Sequence, residues 1–173
     1  MEQNPSNEIN VTHLNQMVLK EQTEPMNSIE LAEDLYEVAV SGFGGQSPWT
    51  VNSLEQSITS ANTILVIAKI DNKIAGFLMA SETKNELDIY LIVVASPYKR
   101  KHTGTKLLDY LAEYGAGKGI DFIILETRES NTPARNLYQS VGFQEVGLRR
   151  GYYSSPIEHA IVMQRNVREE LND

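Results

Sequence analysis

The chain has 173 residues, 15 Lys and Arg against 23 Asp and Glu, a formal net charge of −8, and no cysteine. That length favours one domain able to bury roughly 70% of its unfolded surface. The missing cysteines exclude a disulfide scaffold, a thiolate metal site and a cysteine nucleophile, while the acidic balance argues against a general nucleic-acid binder.

His13, His102 and His159 stand far apart with no ligand spacing, so no metal is expected. No apolar run approaches the 18 residues that a membrane span needs. Met1 to Pro5 carries neither a basic region nor an apolar stretch, so it does not read as a signal peptide, and the expected location is the cytoplasm.

Residues 1–14 are polar and aperiodic and read as a tail, followed by a domain over 15–166 and a short tail over 167–173. Met17-Val18-Leu19 is a short apolar patch of edge-strand type. Ser28 caps a helical pattern with Ile29, Leu31, Leu35, Val38 and Ala39 on one stripe, ending at Ser41-Gly42. Gly42 to Gly45 breaks the chain, and Ser47-Pro48-Trp49-Thr50 leads into a second helix with Val51, Leu54 and Ile58 on one side. The period then changes. Thr63–Ile70 and Ile74–Ser81 are β-rich runs separated by Asp71-Asn72-Lys73. After a turn at Lys84-Asn85, Leu87, Ile89, Leu91 and Val93 alternate along a third strand.

A loop from Ser96 to Gly104 precedes a helix whose inward residues are Leu107, Leu108, Leu111 and Ala112. Ile120–Thr127 is apolar on both faces, as a central strand is. Asn131-Thr132-Pro133 opens a helix with Ala134, Leu137, Tyr138 and Val141 on its stripe, stopped by Gly142. Two further strands follow, Phe143–Tyr153 and His159–Gln164.

Residues 86–128 thus form a strand, loop, helix and strand, a crossover that places its two strands side by side and parallel. Ligands of open sheets bind beyond the carboxyl ends of such strands, here Val93-Val94-Ala95 and Leu125-Glu126-Thr127. The connecting loop carries Lys99, Arg100 and Lys101, and Thr103, Gly104 and Thr105 open the helix with free backbone N–H groups. Cations beside a helix N-terminus suit a pyrophosphate. Glu126 shares a strand face with Phe122 and Ile124; a carboxylate there is either ion-paired, for instance with Arg128, or used in chemistry. Tyr138 lies on the inward stripe, where a core tyrosine whose hydroxyl finds a partner is the commoner case. Gly115 to Gly119 evokes a phosphate loop, but its first glycine and its hydroxyl residue are missing.

The loop, Leu125-Glu126-Thr127-Arg128, and Asn131 with Asn136 to Phe143 together resemble the GNAT superfamily of acetyl-CoA-dependent N-acetyltransferases. Ser47-Pro48-Trp49, Leu125 to Asn131 and Arg149-Arg150-Gly151-Tyr152-Tyr153 are similar to its RimI group, the ribosomal-protein-alanine N-acetyltransferases; the likeness covers about residues 15 to 165. The resemblance implies an α/β GNAT fold: a mixed, twisted sheet of about six or seven strands with helices on both faces. It implies acetyl-CoA as co-substrate, with Ile92, Val93 and Val94 pairing with the pantetheine arm. Arg100, Lys101, His102, Thr103, Gly104 and Thr105 would bind the pyrophosphate, and Asn131 would contact the arm. Glu126 is then the general base and Tyr138 the general acid, and Trp49, Tyr152 and Tyr153 border the acceptor. That acceptor is a protein N-terminal amine, a ribosomal protein's alanine in the leading reading. The sequence departs from the group at His102, where glycine is usual. Two other functions fit the residues: a GNAT acting on a small amine or a lysine side chain, and an acyl-CoA-binding sensor or assembly domain without turnover.

Overall fold

The structure, a computed structural model, describes residues 9–14 and 27–168. Among them, strands β1 (Asn10–Leu14), β2 (Thr63–Ile70), β3 (Lys73–Glu82), β4 (Glu86–Val94), β5 (Phe122–Arg128), β6 (Gln144–Ser154) and β7 (Ile157–Asn166) form one sheet in the order β1-β2-β3-β4-β5-β7-β6. The helices are α1 (Ser28–Gly42), α2 (Val51–Thr59), α3 (Thr103–Lys118) and α4 (Thr132–Ser140), with a 3-10 turn at Ser96–Tyr98. The β4–β5 pair is parallel, as the crossover requires, whereas β1–β2, β5–β7 and β6–β7 are antiparallel. The result is the mixed α/β sheet expected of a GNAT fold. The described residues divide into two compact units, those up to 78 with 92–107, and 79–91 with those from 108 on.

In the first unit, residues 10–14, read above as the end of a polar tail, are a strand whose register places Val11 opposite Ala68. The apolar patch at Met17 lies outside the described residues. Helix α1 is capped by Asn27 rather than Ser28: the Asn27 side chain accepts from Ile29 N–H at 3.0 Å. Leu31, Leu35, Val38 and Ala39 are buried, but Ile29 is 50% exposed. It lies roughly 120° round the helix from Leu35, off the buried stripe. Thr50 and Ser53 form a reciprocal capping box at the start of α2. Asp71 and Asn72 both take positive φ (50° and 61°), the conformation of a tight hairpin turn joining β2 to β3.

Where α1 ends it meets the last residues of β4. A Cβ on Gly42 would lie 2.2 Å from Val93 Cγ2 and 2.7 Å from the Val94 carbonyl oxygen, so only glycine permits this approach. Ser96 N–H donates to Ser41 Oγ at 3.0 Å, and Lys99 Nζ donates to the Gly42 carbonyl at 2.6 Å. Lys99 therefore caps the carboxyl end of α1, where a cation is favoured.

In the second unit, Leu87, Ile89 and Leu91 of β4 are buried, as are Leu108, Leu111 and Ala112 of α3, matching the alternation and stripe read from sequence. Strand β5 is central, with Ile123, Leu125 and Thr127 buried and Phe122, Ile124, Glu126 and Arg128 half-buried on the opposite face. Val167 and Arg168 are tied to Asp121, by a backbone bond of 3.0 Å and an ion pair of 2.8 Å.

Candidate active site

The β4–β5 ladder pairs Glu86 through Ile89 with Phe122 through Leu125. It ends one residue before Glu126. On its other side β5 stays paired with β7 as far as Arg128 opposite Ala160. Glu126 is thus fixed by one neighbouring strand at the point where the ladder with the other stops.

Its carboxylate does not pair with Arg128. It forms an ion pair with Arg149 Nε at 2.8 Å, and it lies near enough to the Tyr152 hydroxyl to raise that hydroxyl's pKa. Arg128 instead donates to Glu158 at 3.2 Å and to the carbonyls of Ser155 and Pro156, and lies 4.2 Å from the Tyr153 ring centre. Tyr152 and Tyr153 meet edge to face at 5.1 Å, and the Arg149 guanidinium stands 5.5 Å from the Tyr152 ring. Two sequence-predicted acceptor residues therefore stand beside the predicted base. Hydrogen bonding to Glu126, then its charge, raises the Tyr152 pKa; burial, then Glu126, raises that of Tyr153.

Tyr138 is 7% exposed and packs on Phe143 with ring centres 5.9 Å apart. Burial first, and then Tyr153, pushes its pKa up to about 12. It stays protonated across the neutral range and so is in the form that can give up a proton. Tyr153 is the electrostatic neighbour that Glu126 and Tyr138 share. The expected stripe on α4 narrows to Tyr138; Ala134, Leu137 and Val141 are half-buried.

Asn131 is the N-cap of α4, its side-chain oxygen accepting from Ala134 N–H at 3.3 Å, so at least that oxygen is engaged locally. Sequence reasoning missed Arg149 as the partner of Glu126, and it missed Asp88. Asp88 faces Ile124 across the parallel ladder, which puts it on the Glu126 face of the sheet. Desolvation, followed by the charges of Glu126 and Glu86, raises its pKa, while Arg149 lowers it. Its side chain is exposed at the outer surface, yet enough protein surrounds the carboxyl for desolvation to lead. The available signal was an acidic residue, two beyond Glu86, on the polar side of an alternating strand.

The predicted anion site lies in the first unit. Lys106 N–H closes the first turn of α3 on the His102 carbonyl at 3.0 Å, leaving the amides of Thr103, Gly104 and Thr105 at the helix start, where no intrahelical partner exists. Arg100 and His102 take φ of 60° and 61°, which curls the loop over that start. Arg100, Lys101 and His102 are exposed, while the buried Thr103 hydroxyl donates to the Tyr98 carbonyl at 3.3 Å, so Thr103 offers its backbone rather than its side chain. This donor set fits a pyrophosphate. A Cβ on Gly76 would lie 2.8 Å from the Val93 carbonyl and 3.3 Å from Thr103 Cγ2, so that glycine lets β3 approach both β4 and the helix start. Ile92 and Val94 are half-buried beside the buried Val93. Trp49, half-buried, belongs to this unit, with its backbone N–H on Ser47 Oγ at 3.0 Å. Among the described residues no group of His, Asp and Glu is arranged to hold a metal. Among the same residues no helix is long and apolar enough to cross a membrane.

The second unit holds a carboxylate at the end of a parallel strand pair, and the first unit an amide-lined helix start; each is a feature that an acyl-CoA-using transferase needs. The profile of the acetyltransferase (GNAT) family matches residues 29–143, and the chain belongs to that family. It is an acetyl-CoA-dependent N-acetyltransferase. It is 31% identical over 139 residues to the N-alpha-acetyltransferase RimI of Mycobacterium tuberculosis, covering 78% of this chain and 86% of that protein. It is 33% identical over 119 residues to the [ribosomal protein bS18]-alanine N-acetyltransferase of Haemophilus influenzae, covering 67% and 80%. It spans only 35% of a longer, uncharacterised Mycobacterium leprae protein that it also matches. The crystal structure of the Escherichia coli ribosomal-protein-S18-alanine N-acetyltransferase superimposes with a TM-score of 0.76 over 92% of this chain and 94% of that one; at 23% identity this is a likeness of fold.

Proposed function

We propose that this enzyme acetylates the α-amine of a protein N-terminus, an alanine of a ribosomal protein being the leading acceptor, in the cytoplasm. The observation that carries the reading is Glu126, placed just past the end of the β4–β5 ladder and ion-paired with the exposed Arg149. The similarity to N-terminal alanine acetyltransferases supports it.

The residues divide the work as follows. The amides of Thr103, Gly104 and Thr105, with Arg100, Lys101 and His102, hold the pyrophosphate of acetyl-CoA, which supplies an activated acetyl group. The backbone of Ile92, Val93 and Val94 holds the pantetheine arm, Asn131 contacts it, and a strand N–H polarises the thioester carbonyl. Glu126 takes a proton from the attacking nitrogen, and Tyr138 donates one to the leaving sulfur. Trp49, Tyr152 and Tyr153 enclose the first residues of the acceptor.

Arg149 must leave Glu126 when the amine arrives. It is 59% exposed, so water readily takes over its hydrogen bonds. The pKa values favour an α-amine: near ~8, roughly a tenth is neutral at pH 7, about 250-fold more than for a lysine near ~10.4. The net charge of −8 attracts a basic chain end at long range, an effect that salt weakens.

Incubation with acetyl-CoA and a basic, Ala-initiated peptide that also contains lysine tests this, with tandem mass spectrometry locating the acetyl group. Label on the α-amine supports the reading. Label on lysine side chains, or transfer only to small amines, overturns the acceptor and leaves the acetyltransferase. Binding of CoA with no turnover of any amine would favour a sensor domain.

A further inference from the structure

In the first unit the end of α1 is held by the loop that precedes α3. The helix satisfies most of its last carbonyls itself: Phe43, Gly45 and Gly44 N–H donate to Ala39, Val40 and Ser41 at 2.9, 2.8 and 3.3 Å. The Gly42 carbonyl takes its bond from Lys99 Nζ at 2.6 Å. Beside it, Ser96 Oγ donates to the Ser41 carbonyl at 2.6 Å, and Ser96 N–H donates to Ser41 Oγ at 3.0 Å. Gly42 has little room to slip, since Val93 and Val94 stand where a Cβ would be. The segment that follows runs to Trp49, the chain's one tryptophan, which is half-buried.

Lys99 is anchored equally well on its other side. Its N–H closes on the Ser96 carbonyl at 3.3 Å, and the carbonyl of its neighbour Tyr98 is held by the buried Thr103 hydroxyl at 3.3 Å. Thr103 also supplies one of the amides at the start of α3. A short bonded path thus joins those amides to the end of α1: Thr103 to Tyr98, Tyr98 to Lys99, Lys99 to Gly42. Arg100, with φ of 60°, bends the chain immediately after Lys99. A cation next to a helix start is ordinarily read as a phosphate ligand, but this ammonium sits on the carbonyl of another helix.

We propose that Lys99 is a positioning residue, which passes occupation of the pyrophosphate site on to the segment 43–49 and so tightens the acceptor rather than the phosphates. This rests on the reading of an α-amine acceptor bordered by Trp49. An anion on the amides of Thr103 to Thr105 fixes the first turn of α3. Through Lys99 the end of α1 is fixed with it, and the acceptor then has less motion to freeze out. Linkage makes the effect reciprocal: the factor by which CoA tightens the acceptor is the factor by which the acceptor tightens CoA. One charge-assisted bond at an exposed place gives about three- to tenfold.

The test compares wild type with Lys99→Met, which keeps the stem and drops the ammonium, and with Lys99→Arg as the rescue variant. Calorimetry gives the Kd of CoA, which carries no acetyl group to transfer, with and without a basic, Ala-initiated peptide. The peptide should tighten CoA about three- to tenfold in wild type and in Lys99→Arg, and leave it unchanged in Lys99→Met. CoA alone should bind all three proteins within about twofold. A loss of about tenfold for CoA alone in Lys99→Met would make Lys99 a phosphate ligand and overturn the proposal. A lower Tm with the peptide effect intact would make its role merely structural, and also overturns it. Trp49 emission supplies a readout that needs no acceptor. CoA should shift it in wild type and Lys99→Arg and not in Lys99→Met; no shift in wild type, or the same shift in all three, refutes the coupling. If the peptide neither binds nor is acetylated, the acceptor reading fails, and Trp49 emission still judges Lys99.

Discussion

Replacing His102 by glycine should stabilise the protein, although it removes a whole side chain. His102 has φ of 61°, the left-handed conformation, in which an L side chain crowds the following carbonyl at a cost of about 1–2 kcal/mol. Glycine pays no such penalty but loses more freedom on folding, by roughly 0.5–1 kcal/mol. The net gain is about 0.5–1 kcal/mol, since the exposed imidazole has no packing to forfeit. For a chain of this size about 1 kcal/mol corresponds to roughly 2–4 °C in Tm. Urea melts and thermal scans of His102→Gly and His102→Ala separate backbone from side chain. Alanine keeps the strained backbone and loses the imidazole, so it should match wild type while glycine exceeds both. Equal stability of the alanine and glycine variants would refute the strain argument. Calorimetric titration with CoA adds the functional side: glycine should bind at least as tightly, because the loop is already curled as it needs to be.

Tyr138→Phe keeps the ring against Phe143 and removes the only proton it can give; kcat should fall about 100-fold or more with Tm nearly unchanged, as paired kinetics and melting curves will show. Gly42→Ala, which in an unobstructed helix would gain about 1 kcal/mol, should instead cost about 1–3 kcal/mol, since its Cβ meets Val93 Cγ2 and the Val94 carbonyl; a rise in Tm would show that the contact is not tight. Glu158 accepts from Ser130 N–H at 2.6 Å and from Arg128, and these bonds, Ser130 first, hold its pKa below the ordinary 4.5. Because the folded value is the lower one, its contribution is present above pH 4.5 and is lost as pH falls through the folded value. Melts of wild type and Glu158→Gln should therefore differ at pH 7 and converge in acid, whereas a constant difference would mean that the bonds do not depend on the charge.

Much of the architecture follows from local pattern. Alternation of Leu87, Ile89, Leu91 and Val93 marks β4 because successive side chains of a strand point to opposite faces, and all four are buried. The stripe Leu107, Leu108, Leu111 and Ala112 marks α3 by the helical period, and again all four are buried. Phase alone puts Glu126 on the face of Ile124, and charge and position mark the basic loop ahead of α3 as the place where we propose an anion site. The resemblance to the GNAT superfamily adds roles to these residues. Phase errors are small and local: Ile29 sits one helical step off its stripe, and Asn27 rather than Ser28 takes the cap.

What the sequence could not decide is register and partnership across strands. Period-2 patterning says which face Asp88 occupies, but only the pairing of Asp88 with Ile124 sets it one step from Glu126. Arg149 reaches Glu126 through β6, whose register against β7 shifts between Glu145 and Gly147 and again between Arg149 and Tyr153. Such irregularities re-aim side chains, and they arise from the packing of a whole hairpin rather than from any residue's own preference. The left-handed turn at His102 is likewise imposed by the helix start it curls over, against the residue's own tendency. Local chemistry therefore determined the elements and the kinds of group at their ends. Which carboxylate faces which guanidinium was decided by contacts between segments far apart in the chain, where propensity carries no information.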